Sequence, residues 1–197
     1  MMIIGLTGGI GSGKTTIAKW FESKGIPVYV ADKEAKALMN RSKVIKRELI
    51  ALFGELAYKN GKLNRDYLAS KIFNNKSLLS KMNEIVHPKV ASHFKRWLKK
   101  QDAPYIIKEA AIIFENNLEH QYDYIITVVA DKELRIKRVM DRDMVHKSRV
   151  ESIMENQLPD KDKIEKSDYV IENNNLEEAK KQAQKIHDVL IKKAEQL

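Results

Sequence analysis

Lys14 and Thr15 stand directly behind a run of glycines, in the segment GLTGGIGSGKTT that runs from Gly5 to Thr16. Five of the chain's eight glycines and only one charged side chain fall in this segment, so its chemistry must come from bare backbone and a single ammonium group. Gly8, four further residues, Gly13, Lys14 and Thr15 match the spacing G-x-x-x-x-G-K-[ST] of a phosphate-binding loop. Glycines let successive N–H groups turn into one concavity, beside the positive end of the helix that follows. A di- or triphosphate suits that nest. The backbone of Gly11, Ser12 and Gly13 would hold its oxygens, Lys14 would reach the β- and γ-phosphates, and the Thr15 hydroxyl would ligate Mg²⁺. Thr16 either touches the α-phosphate or simply begins the helix.

A second cluster lies far along the chain. ELRIKRVMDRD places Arg135, Arg138 and Arg142 at i, i+3 and i+7, on one face of a helix. Such a face can lay guanidinium groups along a polyphosphate and across a migrating phosphoryl group. The competing reading is a solvated helix laced by ion pairs to Glu133, Asp141 and Asp143. A phosphate loop earlier in the same chain favours the first. Asp32 suits the activation of an attacking alcohol, whose proton a nearby carboxylate holds and receives. Capping a helix that starts near Lys33 is the alternative for the same residue. Glu109 divides between an outer contact to Mg²⁺ and an ordinary carboxylate at a strand end. His87, between Val86 and Pro88, reads from its neighbours as a packing residue. His93, His120, His146 and His187 share no metal-ligand spacing, so Mg²⁺ carried with the nucleotide is the only metal expected.

These residues need elements that bring them to one edge. Met2, Ile3, Ile4 and Leu6 predict a buried strand, and Ile17, Ala18, Trp20 and Phe21 predict a helix after the glycines. Val28 to Val30 predict a second short strand. From Lys33 to about Leu98 the pattern is helical, with Lys59 to Asn64 as a loop between two apolar sets. Tyr105–Lys108, Asp123–Asp131 and Asp168–Asn173 predict three further strands, a charged helix follows Asp131, and Leu176 to Gln196 predict a closing amphipathic helix. Met144 to Leu158 are polar and are expected to form a lid that excludes water. Strands alternating with helices predict an α/β fold with a parallel sheet, whose ligands bind at the carboxyl ends of the strands. Asp32, Glu109, Asp131 and Asn173 all fall there.

The chain has 197 residues, enough for one substantial core, and 43% of them are hydrophobic. No apolar run approaches a membrane span, and the N-terminus is itself a strand leading into the loop, so neither a membrane partner nor a cleavable signal is expected. The absence of cysteine removes disulfides and thiol chemistry, and a cytoplasmic location fits. Net charge is +9, but the positive residues spread from Lys14 to Lys193 instead of massing in a tail. A small polyphosphate is therefore the expected partner and nucleic acid is not. A guanine-nucleotide switch would need N/T-K-x-D; the nearest string, Asn75-Lys76-Ser77-Leu78, ends in leucine. A kinase for another small alcohol or nucleotide shares the loop and the arginines, and stays open at this level. No feature assigns an oligomeric state.

Several segments, in order along nearly the whole chain, narrow the choice. GLTGGIGSGKTT, the pair Ala31-Asp32, NRDYLASKIF from Asn64, IVHP from Ile85, AAIIFE from Ala110, RIKRVMDRD, Gln157 and SDYVIEN together resemble the dephospho-coenzyme A kinase family. The resemblance implies a three-layer P-loop NTPase fold like that of nucleoside monophosphate kinases, with a five-stranded parallel sheet, a helical substrate-binding insertion and a lid. Residues 1–32, 100–140 and 165–197 would form the nucleotide-binding core, 33–99 the helical insertion and 141–164 the lid. It implies transfer of phosphate from ATP, with Mg²⁺, to the ribose 3′-hydroxyl of dephospho-coenzyme A. By matching position, Asp32 would be the catalytic carboxylate beside Lys14, Arg138 and Arg142. Arg65 and His87 would then face the acceptor, together with Asp32, and Asn173 would lie near adenine. The chain departs from the family's pattern at Val30, often aspartate, at Ala111-Ile112-Ile113, usually Pro-Leu-Leu, and at Asn175, commonly glycine.

Overall fold

The computed structural model describes residues 1–73 and 75–196. In chain order it begins with β1 (Met2–Thr7), α1 (Lys14–Ser23) and β2 (Val28–Val30). Then come α2 (Ala31–Arg41), α3 (Lys43–Phe53), the short strands β3 (Tyr58–Lys59) and β4 (Lys62–Leu63), α4 (Arg65–Ile72) and α5 (Lys76–Leu98). The chain continues through β5 (Tyr105–Glu109), β6 (Tyr124–Val129), α6 (Lys132–Asp143) and α7 (Lys147–Glu155). It ends with α8 (Asp160–Glu165), β7 (Tyr169–Glu172) and α9 (Leu176–Ala194). Two compact units result, Met1–Val30 with Asp102–Leu197 and Ala31–Gln101.

The larger unit is built on a parallel sheet of five strands in the order β2-β5-β1-β6-β7. β1 is central because both of its faces are apolar or small, as a strand covered on both sides requires. On one face Ile4 and Leu6 are fully buried and join Ile17, Ala18 and Phe21 of α1 and Ala179, Ala183, Ile186 and Leu190 of α9. On the other face Gly5 lies under Ile113 and Tyr122. Each fully buried aliphatic side chain contributes about 1.5–3 kcal/mol, so this core fixes β1 and the loop that leaves it. In register Leu6 stands opposite Glu109, which brings the ends of β1 and β5 level.

Residues 144–158, expected as a polar lid segment, carry a packed helix. Val150 of α7 is fully buried against Ile136 and Val139 of α6, with Ile10, Val145 and Met154 around them. A single turn of apolar residues inside a charged stretch is enough to dock α7.

The smaller unit is mainly helical, around Leu38, Met39, Ile45, Leu49, Phe53, Ala57, Leu68 and Val86. α3, α4 and α5 start on side-chain caps: Ser42 accepts from the Ile45 N–H, Asn64 from Tyr67 and Asn75 from Leu78. These satisfy donors that have no partner within the helix. Lys59 to Asn64, expected as a loop, is instead a hairpin with Tyr58 paired to Leu63 and Lys59 to Lys62. Asn60 and Gly61 turn it at φ 51° and 76°, the left-handed pair that a two-residue turn of this kind demands. Pro88 sits inside α5, where the helix runs through it.

Candidate functional site

The glycine loop bridges β1 and α1 in the larger unit. Gly13 stands at φ 96° and starts α1 with no side chain to cap it, leaving the helix's first N–H groups for another acceptor. Lys14 Nζ donates back to the carbonyls of Gly8 at 2.7 Å and Gly9 at 3.3 Å. Thr15 and Thr16 follow, both exposed.

Across from them, α6 supplies two guanidinium groups. Gly11, Gly13, Lys14, Thr15 and Thr16 line one cleft of about 490 Å³ with Arg138, Val139 and Arg142. Its lining carries three cationic side chains and no carboxylate, which is the donor set a polyphosphate requires. Arg138 Nη2 donates to the Asn173 carbonyl at 2.9 Å, while Arg142 makes a forked pair with Asp143, both contacts 2.7 Å.

Two residues expected to touch nucleotide lie beneath this surface. Ser12 is fully buried and Asn173 is 3% exposed. The Asn173 amide donates to the Ser12 carbonyl at 2.8 Å, so this side chain ties the end of β7 to the loop. Glu109 is buried at the end of β5. Burial, and then the charge of Glu109, push the Tyr122 hydroxyl well above the ordinary phenol range.

Arg135, read from its spacing as part of the same arginine face, points elsewhere. Its side chain is 8% exposed, its Nε donates to the Ile10 carbonyl at 2.9 Å, and its Nη1 lies 2.6 Å from Asp160 Oδ2. Gln157 Oε1 accepts from the Ile10 N–H at 2.8 Å. Lys163 is fully buried 2.7 Å from Glu115 Oε1, an ion pair set outside hydrogen-bond angles, and the same oxygen accepts from the Leu158 N–H at 3.1 Å. The arginine spacing hinted at the first of these supports, whereas Asp160, Lys163 and Glu115 left no comparable signal.

Asp32, Arg65 and His87 belong to the smaller unit. Asp32 lies inside the first turn of α2, exposed, because that helix starts at Ala31 directly after β2; it is not the cap of a helix starting near Lys33. Arg65 opens α4 and lines a hollow of about 400 Å³ with Asn40, Gly61, Lys62 and Leu63. Asp32 and His87 stand outside that lining. His87 is exposed on α5, where neighbours alone suggested packing.

Residues 2–178 match the family model described as dephospho-CoA kinase. The chain belongs to the dephospho-CoA kinase family. A dephospho-CoA kinase from Fusobacterium nucleatum is 38% identical over 192 residues, covering 96% of this chain and 99% of that protein. A crystal structure from Thermus thermophilus superposes with a TM-score of 0.89 at 32% identity, over 95% of this chain and 96% of that one. The dephospho-CoA kinase of Campylobacter jejuni shares the fold at TM-score 0.68 and 24% identity, covering 96% of this chain and 97% of its own. Family membership makes the enzyme a kinase with ATP as its phosphate donor. Among the described residues, no helix is long and apolar enough to cross a membrane.

Proposed function

We propose that this enzyme transfers the γ-phosphate of ATP to the ribose 3′-hydroxyl of dephospho-coenzyme A, giving coenzyme A and ADP. The observation that carries the reading is the convergence of the glycine loop, Lys14, Arg138 and Arg142 on one carboxylate-free cleft in a chain of this family. Backbone N–H groups of Gly11 and Gly13 and the start of α1 hold the phosphates, and Lys14 leaves the Gly8 carbonyl to neutralise them. The exposed Thr15 hydroxyl would be a ligand for Mg²⁺, which would supply charge neutralisation at the phosphates when bound. Arg138 and Arg142 stabilise the charge that spreads over the migrating phosphoryl group. Asn173 holds the loop from below and reaches a nucleotide through what it positions.

The acceptor belongs to the smaller unit. Asp32, exposed in the first turn of α2, takes the proton of the attacking hydroxyl and keeps its oxygen in line. Arg65, beside Lys62 in its hollow, offers a cation to an acceptor phosphate, and the exposed His87 offers an imidazole N–H. The partner is thus a small molecule carrying several phosphates, met in the cytoplasm, and nucleic acid has no part in the reaction.

The test is ADP release with Mg-ATP across a panel of acceptors. Dephospho-coenzyme A should support turnover at least about 10²-fold above nucleosides, nucleoside monophosphates and shikimate, since missing polar contacts discriminate that strongly. Equal turnover with any of these would reassign the acceptor.

A further inference from the structure

We propose that Arg135 is a positioning residue for nucleotide binding: with Asp160 and Gln157 it fixes the Ile10 peptide, and with it the path of the glycine loop that receives the phosphates. This rests on reading the loop as the ATP site. Two hydrogen bonds grip Ile10 from opposite sides, its N–H donating to Gln157 Oε1 at 2.8 Å and its carbonyl accepting from Arg135 Nε at 2.9 Å. The same guanidinium reaches Asp160 Oδ2 at 2.6 Å through Nη1. One planar group is therefore shared between the loop and the first residue of α8, a geometry that a fork of N–H donors permits and a lysine ammonium does not. Gln157 lies on the chain just before that helix, so the stretch from Gln157 to Asp160 holds the loop twice, directly through Gln157 and by way of Arg135 through Asp160.

Gly9 gives an independent sign. Unlike Gly8 and Gly11, it does not take a positive φ, so its backbone does not demand glycine. A Cβ there would nevertheless run into the Arg135 guanidinium. The space that Gly9 leaves is filled by Arg135, and the guanidinium cannot step aside without giving up Ile10 or Asp160. A set of N–H groups binds phosphate well only when it is held in place beforehand, because ordering it on binding subtracts from affinity. The clamp should thus appear in ATP affinity and leave the transfer step largely alone. Arg135 acts through Ile10 and has no place in the lining of the phosphate cleft.

The experiment measures equilibrium ATP binding and nucleotide-free melting for wild type, Arg135→Gln, Gly9→Ala and the double variant, with hydrogen exchange at the Ile10 amide in Gln157→Leu. Each single variant at the clamp should weaken ATP binding about tenfold, the loss expected for one hydrogen bond to a charged group. The double variant should bind no worse than the weaker single one, because both changes remove the same contact. At saturating ATP, kcat and the KM for the acceptor should change little, Arg135→Lys should restore only part of the affinity, and the Ile10 amide should lose protection in Gln157→Leu. Asp160→Asn, a milder change at the partly exposed partner, should weaken binding severalfold and serves where Arg135→Gln does not fold. Losses that multiply in the double variant, or unchanged ATP binding in Arg135→Gln or Asp160→Asn, overturn the clamp while leaving the ATP site intact. Wild-type protein that bound no ATP would instead overturn the site itself, and the clamp's purpose with it.

Discussion

Lys14 Nζ resting on the Gly8 and Gly9 carbonyls is the pose of an ammonium held close to where phosphate would sit. Exchanging neutral carbonyls for phosphate oxygens replaces ordinary hydrogen bonds with charge-assisted ones, roughly twice as strong. Lys14→Ala should therefore abolish nearly all turnover while the melting temperature holds, since α1 docks through Ile17, Ala18 and Phe21. Lys14→Arg should be impaired as well, because a planar guanidinium does not fit where a compact ammonium does. Full turnover by folded Lys14→Ala protein would remove the phosphate role from the loop. Asp32 permits a sharper separation. As an exposed residue in the first turn of α2 it contributes to stability only through the helix dipole, a few tenths to about 1 kcal/mol. Asp32→Asn should leave melting and ATP binding near wild type while kcat falls by roughly 10²- to 10⁴-fold, the usual worth of a positioned acid–base group. Turnover, melting and ATP binding measured on one preparation decide it; unchanged turnover would leave Asp32 a helix residue and nothing more.

Among the elements, α6 divides its arginines by burial. Arg135 braces the loop from inside, and Arg138 and Arg142 line the cleft. If Arg142 acts on charge that develops during transfer, Arg142→Ala should lower kcat more than it weakens ATP binding, by a few kcal/mol of barrier. Equal losses in both would make it a ground-state contact. A pH response is expected from α9. His187 meets the Tyr105 hydroxyl at 2.5 Å, and burial lowers its pKa below the ordinary 6.5; Asp188 pushes it up and Lys24 pushes it down. A lowered folded pKa means the folded state binds fewer protons, so this contribution is fully present above about pH 6.5 and is lost as pH falls toward the folded value. The melting temperature should thus drop further between about pH 7 and pH 5.5 in wild type than in His187→Gln. Parallel slopes would free His187 of that role.

Legibility followed the same division. β1, β5 and β6 were readable because each is an apolar run, and the glycine loop because its spacing is itself the chemistry. The β3–β4 hairpin was hidden by strands of two residues each, although Asn60-Gly61 is a strong turn signal. For Asp32 the cap stayed open beside the catalytic carboxylate because sequence does not show that α2 follows β2 without a linking residue. The brace on Ile10 needs residues near positions 10, 135 and 157–160 to meet, and no local pattern encodes that meeting.

At the scale of the whole molecule the net charge is +9, and the cleft beside the glycine loop is lined by Lys14, Arg138 and Arg142 without an acid. A field of that sign favours a donor and an acceptor that both carry phosphates. The proposed place of the donor agrees with the parallel sheet, since the loop leaves β1 at its carboxyl end, where ligands bind in such folds. Which hydroxyl receives the phosphate is the central claim, and product regiochemistry tests it most directly. The purified enzyme is incubated with Mg-ATP and dephospho-coenzyme A, and the product is examined by phosphorus NMR. A new monoester signal from phosphate on the ribose 3′-hydroxyl is expected, one per ADP formed, and none with Lys14→Ala. ADP formed without that monoester, or with phosphate on another hydroxyl, would contradict it.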